Sequence, residues 1–211
     1  MFVRNIGVVT FEAQNENHGK LMKYFYRKNG WHGLRKFNSF KDNGDGTVTL
    51  FLIRGYETII SAECLPLVLE TSKVSISIKM SGIYATTRIK EKTTDLHRLF
   101  MREELAKYEG FEKETGMSIQ VNHRNENPLD NRLSNLEVVT DRENYLKYQL
   151  NHAKGYYKTP SGKFEVKFRN KNVGTFETEA EARKAYVHAV KKEIKRLEEI
   201  RMNWLKSNGH L

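Results

Sequence analysis

Cysteine, proline and long apolar runs are scarce in this sequence of 211 residues. The single cysteine, Cys64, excludes an internal disulfide and a cysteine-based zinc finger or iron–sulfur site. No apolar run approaches the ~18–20 residues that a membrane span requires, and the first residues lack the long apolar stretch of a signal peptide. We therefore expect a cytoplasmic protein without a membrane partner.

The composition is polar and basic. Hydrophobic residues make up 38% of the chain and charged residues 29%, which favours small cores over one large core. Residues 141–211 hold 16 Lys/Arg against 9 Asp/Glu, and so carry +7 of the formal net charge of +10. Polyanions are the first partners to consider, although many small basic proteins have no such partner.

Residues 1–94 are predicted to form a β-rich region. Within residues 1–46, "KLMKYFYRKNGWHGLRKF" is typical either of an amphipathic helix ending near Gly30 or of a basic aromatic surface that contacts nucleic acid. A turn at Asn43–Gly46 and four short β-branched segments follow. Lys90–Thr94 is expected to be a polar connector.

A helix is predicted over "DLHRLFMREELAKY", with Asp95 as its candidate cap. The segment "EGFEKETGMSIQ" is expected to be a loop that leads into a short strand ending at His123. Polar turn-forming residues, the strand "LEVVT" and a helix follow, and Thr140 with Glu143 matches a capping box at the start of that helix.

One histidine and six asparagines lie within residues 121–144. His123 can accept a proton near neutral pH, which makes it the candidate general base. Asn122 and Asn144 offer carbonyl oxygens to a hard divalent cation, and Asn135 could tie the loop to the histidine. These are the groups that phosphodiester hydrolysis needs. The alternative is a hairpin whose asparagines only cap turns.

The elements "VNHRNEN", "DNRLSNLEVVT" and "EN" resemble the HNH endonuclease motif in the form carried by phage and intron-encoded homing endonucleases. The resemblance implies a ββα-metal unit, predicted over residues 95–150, that hydrolyses double-stranded DNA with Mg²⁺ or Mn²⁺ at selected sites. By position, His123 would be the general base, Asn135 its orienting residue, and Asn122 and Asn144 the metal ligands. The compartment implied is a bacterial or phage-infected cell.

The position of Asn122 is often Asp in that family, and a neutral amide attracts a cation less strongly. A DNA-binding protein with a weak or inactive site is therefore the alternative function. The stretch "LHRLF" resembles one that precedes the motif in the same enzymes. His97 and Arg98 could approach the phosphate, or could pack behind the hairpin in a structural role.

The basic segment from Lys154 to Leu197 shows three strand patterns, two turns at Pro160–Gly162 and Asn170–Asn172, and a helix after a second capping box, Thr178 with Glu181. One face of the sheet is expected to pack on the apolar stripe of the helix, Ala182, Ala185, Tyr186, Ala189, Ile194 and Leu197. The other face is expected to carry Tyr157, Lys163, Lys167 and Arg169, either as a DNA-contacting surface or as a solvated one.

The elements "KGYYKTPSGKFEVKFR" and "VGTFETEAEARKAYVHA" resemble the ethylene-response-factor type of DNA-binding domain, here over residues 154–205. The resemblance implies that residues on the sheet contact DNA, namely Lys154, Tyr157, Lys163, Lys167, Arg169 and Thr175. The fold expected for the whole chain is α+β: a β-rich N-terminal region, a central ββα-metal unit, and a C-terminal three-stranded antiparallel sheet packed on a helix. A third hypothesis, an RNA-binding module, rests on residues 1–46.

Overall fold

The computed structural model describes residues 38–71 and 73–211, so the alternatives for residues 1–37 lie outside the described residues. The chain forms two compact units. The described part of the first unit comprises residues 38–103 and 121–137, and the second comprises residues 104–120 and 138–211. Each unit has its own buried apolar cluster.

The elements of residues 38–123 run, in chain order, β1 (Phe40–Asp42), β2 (Thr47–Phe51), β3 (Glu57–Ser61), α1 (Leu65–Leu69), β4 (Ser75–Lys79), β5 (Gly82–Ile89), β6 (Lys92–Asp95), α2 (Leu96–Phe100), α3 (Arg102–Ala106), α4 (Phe111–Thr115) and β7 (Ile119–His123). The remaining elements are β8 (Asp130–Asn131), β9 (Leu136–Thr140), α5 (Asp141–His152), β10 (Tyr157–Lys158), β11 (Phe164–Phe168), β12 (Lys171–Phe176) and α6 (Glu179–Ser207).

The first unit contains a four-stranded sheet in the order β1-β2-β3-β8. Strands β1 to β3 form an antiparallel meander. Strands β2 and β3 lie in segments predicted as strands, whereas β1 was not predicted. The short strand β8 pairs in parallel with β3, Ile59 opposite Asp130 and Ile60 opposite Asn131. This long-range pairing brings the asparagine-rich loop to the edge of the sheet.

A second sheet of the same unit has the order β4-β5-β6. The polar connector expected at Lys90–Thr94 is wrong, because Lys92–Asp95 forms strand β6 against β5. Lys90 and Glu91 make the turn between them with positive φ values of 45° and 68°. Such a turn matches the twist of antiparallel strands and usually contains glycine or asparagine, so Lys90 and Glu91 do not predict a hairpin.

The helix predicted from Asp95 is present as two short helices, α2 and α3, with a break at Met101. Asp95 occupies the cap position of α2 but makes no side-chain capping bond. Both of its carboxylate oxygens accept from Nζ of Lys79, at 2.9 and 2.8 Å. An ion pair with β4 has therefore replaced the expected cap.

The second unit contains a helix where a loop was expected. Within "EGFEKETGMSIQ", Phe111–Thr115 forms α4 between Gly110 and Gly116, which have φ values of 90° and 67°. Glycine adopts these left-handed angles without strain, so the two glycines bound a single helical turn. Phe111 anchors this turn in the core of the unit.

The C-terminal part of the second unit has the predicted architecture. Strands β10, β11 and β12 form an antiparallel three-stranded sheet, and α6 packs on β11 and β12. The capping box of Thr178 and Glu181 starts α6 as predicted. The core of the sheet and helix includes Val166, Ala182, Tyr186, Val190 and Leu197. The α+β fold class is confirmed.

Helix α6 is longer than the sheet requires, at 29 residues. Its last turns bury Trp204 against Tyr108 and Phe111, and the indole Nε1 of Trp204 donates to Glu114 at 2.8 Å.

The predicted division into residues 1–94, 95–150 and 154–205 stays a prediction. Among the described residues, no helix has the length and apolarity needed to cross a bilayer.

Candidate nuclease site and nucleic-acid interface

His123 is the last residue of β7 and is buried, with 6% of its surface exposed. Its ring packs edge-on against the ring of His97 at a centroid distance of 5.0 Å and lies 6.3 Å from the ring of Tyr84. Nε2 of His123 lies 3.3 Å from Oδ1 of Asn131. The position of this imidazole is thus set by its own strand, β7, and by contacts with β5, β8 and α2.

The hydrogen-bond network assigns the protons of His123. The Thr58 hydroxyl donates to the carbonyl of Leu129 and accepts from Nδ2 of Asn131, so Oδ1 of Asn131 faces the imidazole. That oxygen can only accept, and Nε2 of the neutral ring is therefore the donor. Nδ1 then carries the lone pair that a general base needs.

Burial lowers the pKa of His123 below its ordinary value, while the Asn131 hydrogen bond and the nearby Asp130 carboxylate oppose part of this shift. The ring is therefore neutral at neutral pH. A neutral, oriented imidazole is the form in which histidine accepts a proton.

Asn131 was not selected from the sequence as a functional residue, although it lies within the quoted "DNR" element. Its contact with His123 depends on the parallel pairing of β8 with β3. The predicted orienting residue, Asn135, instead binds the loop that follows His123: it accepts from the Asn125 amide and donates to the Asn125 side chain and to the Asp130 carbonyl. A role of Asn135 in orienting His123 stays a prediction.

Asn122 precedes His123 on β7 and points to the opposite face of the strand. Its Nδ2 donates to Oε1 of Glu137 on β9, at 2.8 Å. Oε2 of Glu137 pairs with Nη1 of Arg124, at 3.1 Å. Because the side-chain nitrogen of Asn122 donates to Glu137, the carbonyl oxygen of Asn122 is directed away from that carboxylate.

Asn144 lies on the first turns of α5, in the second unit. The predicted capping box is present, since the Thr140 hydroxyl accepts from the Glu143 amide and the Glu143 carboxylate accepts from the Thr140 amide. Nδ2 of Asn144 donates to Oε1 of Gln120 at 2.9 Å. The convergence of Asn122, His123 and Asn144 on one cation stays a prediction.

The candidate ligands fit a hard cation by donor type, because each offers an amide oxygen. Their charge fits less well, since both amides are neutral. Within residues 38–71 and 73–211, no cluster of three or more His, Cys, Asp or Glu side chains could hold a metal ion. Mg²⁺ or Mn²⁺ as the cation stays a prediction.

His97 and Arg98 lie on α2 with different exposures. His97 is buried, and burial followed by the neighbouring His123 lowers its pKa to about 4. Its Nδ1 has no hydrogen-bond partner in the part of the chain that the structure describes. His97 therefore has the packed position expected of a structural residue. Arg98 is exposed, and the approach of Arg98 to a phosphate stays a prediction.

The six residues predicted to contact DNA are all exposed, namely Lys154, Tyr157, Lys163, Lys167, Arg169 and Thr175. Tyr157 and Thr175 flank Glu165 across the three strands, because each pairs directly with it. Lys167 lies beside this row, 3.1 Å from Glu165 and 5.3 Å from the centroid of the Tyr157 ring. The outer face of the sheet thus carries a carboxylate at its centre.

Arg169 is not on the strand face where it was expected. It forms the turn between β11 and β12 with Asn170, at φ values of 51° and 59°, one residue before the predicted turn at Asn170–Asn172. Its guanidinium pairs with Glu193 of α6. Lys163 is likewise paired with Glu177, so both cations must exchange a carboxylate partner to bind a phosphate.

Residues 111–146 match the family described as HNH endonuclease. This range includes β7, the asparagine-rich loop, β9 and the first half of α5, and it supports a nuclease that acts on nucleic acid. Neither the curated proteins nor the solved structures include a match to the chain.

Proposed function

We propose that the protein is a site-selective DNA endonuclease of the HNH homing type that hydrolyses phosphodiester bonds with His123 as general base and one divalent cation. The observation that carries the proposal is the buried, neutral His123, held by Asn131 within the segment that matches the HNH endonuclease family.

In the proposed reaction, Nδ1 of His123 takes a proton from water as the water oxygen attacks phosphorus. The bond from phosphorus to the leaving oxygen breaks, and that oxygen is protonated from solvent. When bound, Mg²⁺ or Mn²⁺ supplies positive charge that offsets charge on the phosphate and the leaving oxygen. Asn122 and Asn144 would supply its amide ligands. Asn131 accepts the hydrogen bond from Nε2 of the imidazole, and Asn135 holds the loop that follows His123.

The C-terminal sheet and helix would dock the enzyme on duplex DNA as an ethylene-response-factor type domain. Lys154, Tyr157, Lys163, Lys167 and Thr175 are its proposed contacts, with Arg169 at the rim. A single cation serves one strand at a time, so one protein chain nicks, and a double-strand break requires two copies or two binding events. Phage-infected or bacterial cytoplasm is the proposed setting.

The test is the conversion of supercoiled plasmid to open-circle or linear DNA. We expect conversion with Mg²⁺ or Mn²⁺, none with a chelator, and conversion slower by about 100-fold or more with His123→Ala in either metal. Duplex binding by His123→Ala should equal that of the wild type. An unchanged rate for the variant would contradict the mechanism.

A second candidate function is a DNA-binding protein without catalysis, which the neutral Asn122 favours because it weakens attraction for a cation. The same assay separates the two candidates. Duplex binding by the wild type without cleavage in any divalent metal would establish the second candidate in place of the first.

A further inference from the structure

The turn between β4 and β5 exposes apolar side chains to solvent. Met80, in the turn Met80–Ser81, is fully exposed, and Ile78 beside it is 66% exposed. Ile78 pairs directly with the partly buried Ile83 on the other strand. We call Ile78, Met80 and Ile83 the hairpin tip. Exposed clusters of large apolar side chains are characteristic of contact surfaces.

The hairpin tip adjoins the His123 site within the first unit. Gly82, the first residue of β5, packs so closely on the loop after His123 that an added Cβ would lie 3.1 Å from Cγ of Pro128. The ring of Tyr84, on the same strand, lies 6.3 Å from the ring of His123. Tyr84 is three residues from the turn, a distance of about 10 Å at ~3.3 Å per residue. The tip is therefore within roughly three base steps of a phosphate at His123, at ~3.4 Å per step.

The charge of the hairpin favours a polyanion. Residues 71–90, which include both strands and the tip, contain no Asp or Glu. All charged residues of this stretch are cations, namely Lys73, Lys79, Arg88 and Lys90. A nucleic acid that approaches the hairpin thus meets no carboxylate within it, and the tip offers its bases an apolar contact.

The combination of an apolar tip with a cationic hairpin suits insertion between bases. Proteins that kink DNA from the minor groove place side chains such as Met or Ile between two base pairs, which partly unstacks the step. Methionine adapts to such a gap because it is unbranched and flexible. A kink is useful here because His123 is only 6% exposed, and bending the backbone turns a phosphate toward the buried imidazole.

We propose that the hairpin tip is a wedge, and that Met80 and Ile78 insert between base pairs of duplex DNA next to the phosphate that is cut. The inference rests on the proposed function, since it names how duplex DNA is presented to His123. Met80 and Ile78 act on the shape of the DNA and are positioning residues. The occupant of the tip is the unstacked base step.

Unwinding of DNA by the full chain is measured without cleavage. Closed circular plasmid is relaxed by a metal-independent topoisomerase in a chelator, with saturating protein, and the linking number is read on a gel after the protein is removed. Because a wedge untwists the step that it enters, the wild type should lower the linking number. Met80→Ser and Ile78→Ser should remove most of the shift. Met80→Leu keeps an apolar wedge and should retain it.

Nicking of plasmid in Mn²⁺ provides a second readout. Met80→Ser should slow nicking on the order of tenfold, because the step must unstack without the wedge. In a duplex that carries the mapped nick site with an abasic position at the adjoining step, stacking is already lost. The difference between variant and wild type should then fall below about twofold.

Ile53→Ser is the matched control. Ile53 is a 42% exposed side chain of the first unit, in the connection between β2 and β3. This variant loses the same amount of exposed apolar surface as Ile78→Ser and should unwind and nick DNA as the wild type does. Duplex binding, measured by fluorescence anisotropy in the chelator, confirms that every protein is compared at saturation.

Each outcome decides a separate question. A wild-type linking-number shift in Met80→Ser, or no shift by a wild type that binds duplex DNA, would overturn the wedge and leave the nuclease proposal standing. Loss of self-association in Met80→Ser, with unchanged unwinding, would assign the tip to a second copy of the chain. A wild-type protein that unwinds plasmid but nicks it in no divalent metal would instead overturn the proposed function.

Discussion

Arg201, near the end of α6, holds the carboxylate of Glu143 on the first turn of α5. Nε of Arg201 lies 3.2 Å from Oε2 of Glu143, and its Nη1 donates to the Tyr108 hydroxyl at 2.9 Å. Glu143 is 1% exposed and also caps α5 through the Thr140 amide. The C-terminal helix thus stabilises the start of the helix that carries Asn144, within one unit.

Arg201→Ala is expected to lower the free energy of unfolding by about 3–5 kcal/mol, because it leaves the Glu143 carboxylate buried without its cation. Urea unfolding followed by circular dichroism measures the change. The control is Arg196→Ala, which breaks the exposed pair with Glu193 on the same helix and should cost less than about 1 kcal/mol. Equal losses for the two variants would contradict the account of Arg201.

The same contact changes how the C-terminal region should be tested. Deleting residues 154–211 would remove the proposed DNA contacts together with Arg201 and Trp204, and so would expose the core around Phe111. Weaker DNA binding by such a truncation could then result from unfolding. Point substitutions on the sheet avoid this ambiguity.

Asn131→Leu is expected to slow plasmid nicking on the order of 10- to 100-fold, because it removes the acceptor that fixes the tautomer of His123. Duplex binding should stay at the wild-type level, since Asn131 is buried within the first unit. The nicking rate is compared with that of Asn135→Leu, which removes hydrogen bonds to the loop that follows His123. A nicking rate of Asn131→Leu equal to that of the wild type would show that the imidazole does not need this partner.

His97 should make stability depend on pH. Its pKa falls from an ordinary 6.5 to about 4, so the unfolded chain binds a proton at a higher pH than the folded protein does. The contribution of the neutral ring is complete above pH 6.5 and is lost as the pH falls toward 4, by up to about 3 kcal/mol. His97→Phe should flatten the pH dependence of the urea midpoint over this window. An identical pH profile in the variant would contradict the assignment.

The parts of the fold that depend on local signals were predictable from the sequence. Two capping boxes, Thr140 with Glu143 and Thr178 with Glu181, start helices as expected, and the C-terminal sheet has the predicted order. Strand β6 was missed because Lys90 and Glu91 adopt left-handed angles that these residue types rarely take.

The residues of the candidate site were only partly predictable, for a different reason. The side chain of Asn131 is oriented toward His123 by a hydrogen bond to Thr58. Thr58 lies 73 positions earlier in the chain. Arg201 and Glu143 are 58 positions apart. Periodicity and spacing describe neighbours in sequence, and they carry no information on such long-range partners.

Lys163→Ala and Lys167→Ala are each expected to weaken duplex binding and to reduce the slope of log K against log salt by about 1, if each lysine leaves its carboxylate partner for a phosphate. Lys206→Ala, at the exposed end of α6, serves as the control for loss of one positive charge. Salt titrations by fluorescence anisotropy measure the slopes. Slopes equal to those of the control would remove the sheet from the proposed interface.

The central claim is that the imidazole of His123 is the general base of a metal-dependent nuclease. It is tested most directly by the rate of plasmid nicking with excess enzyme in Mn²⁺ for His123→Ala, beside the exposed-histidine control His188→Ala on α6. The account predicts a loss of about 100-fold or more for His123→Ala, with unchanged duplex binding and a wild-type rate for the control. Equal nicking rates for the two variants would contradict it.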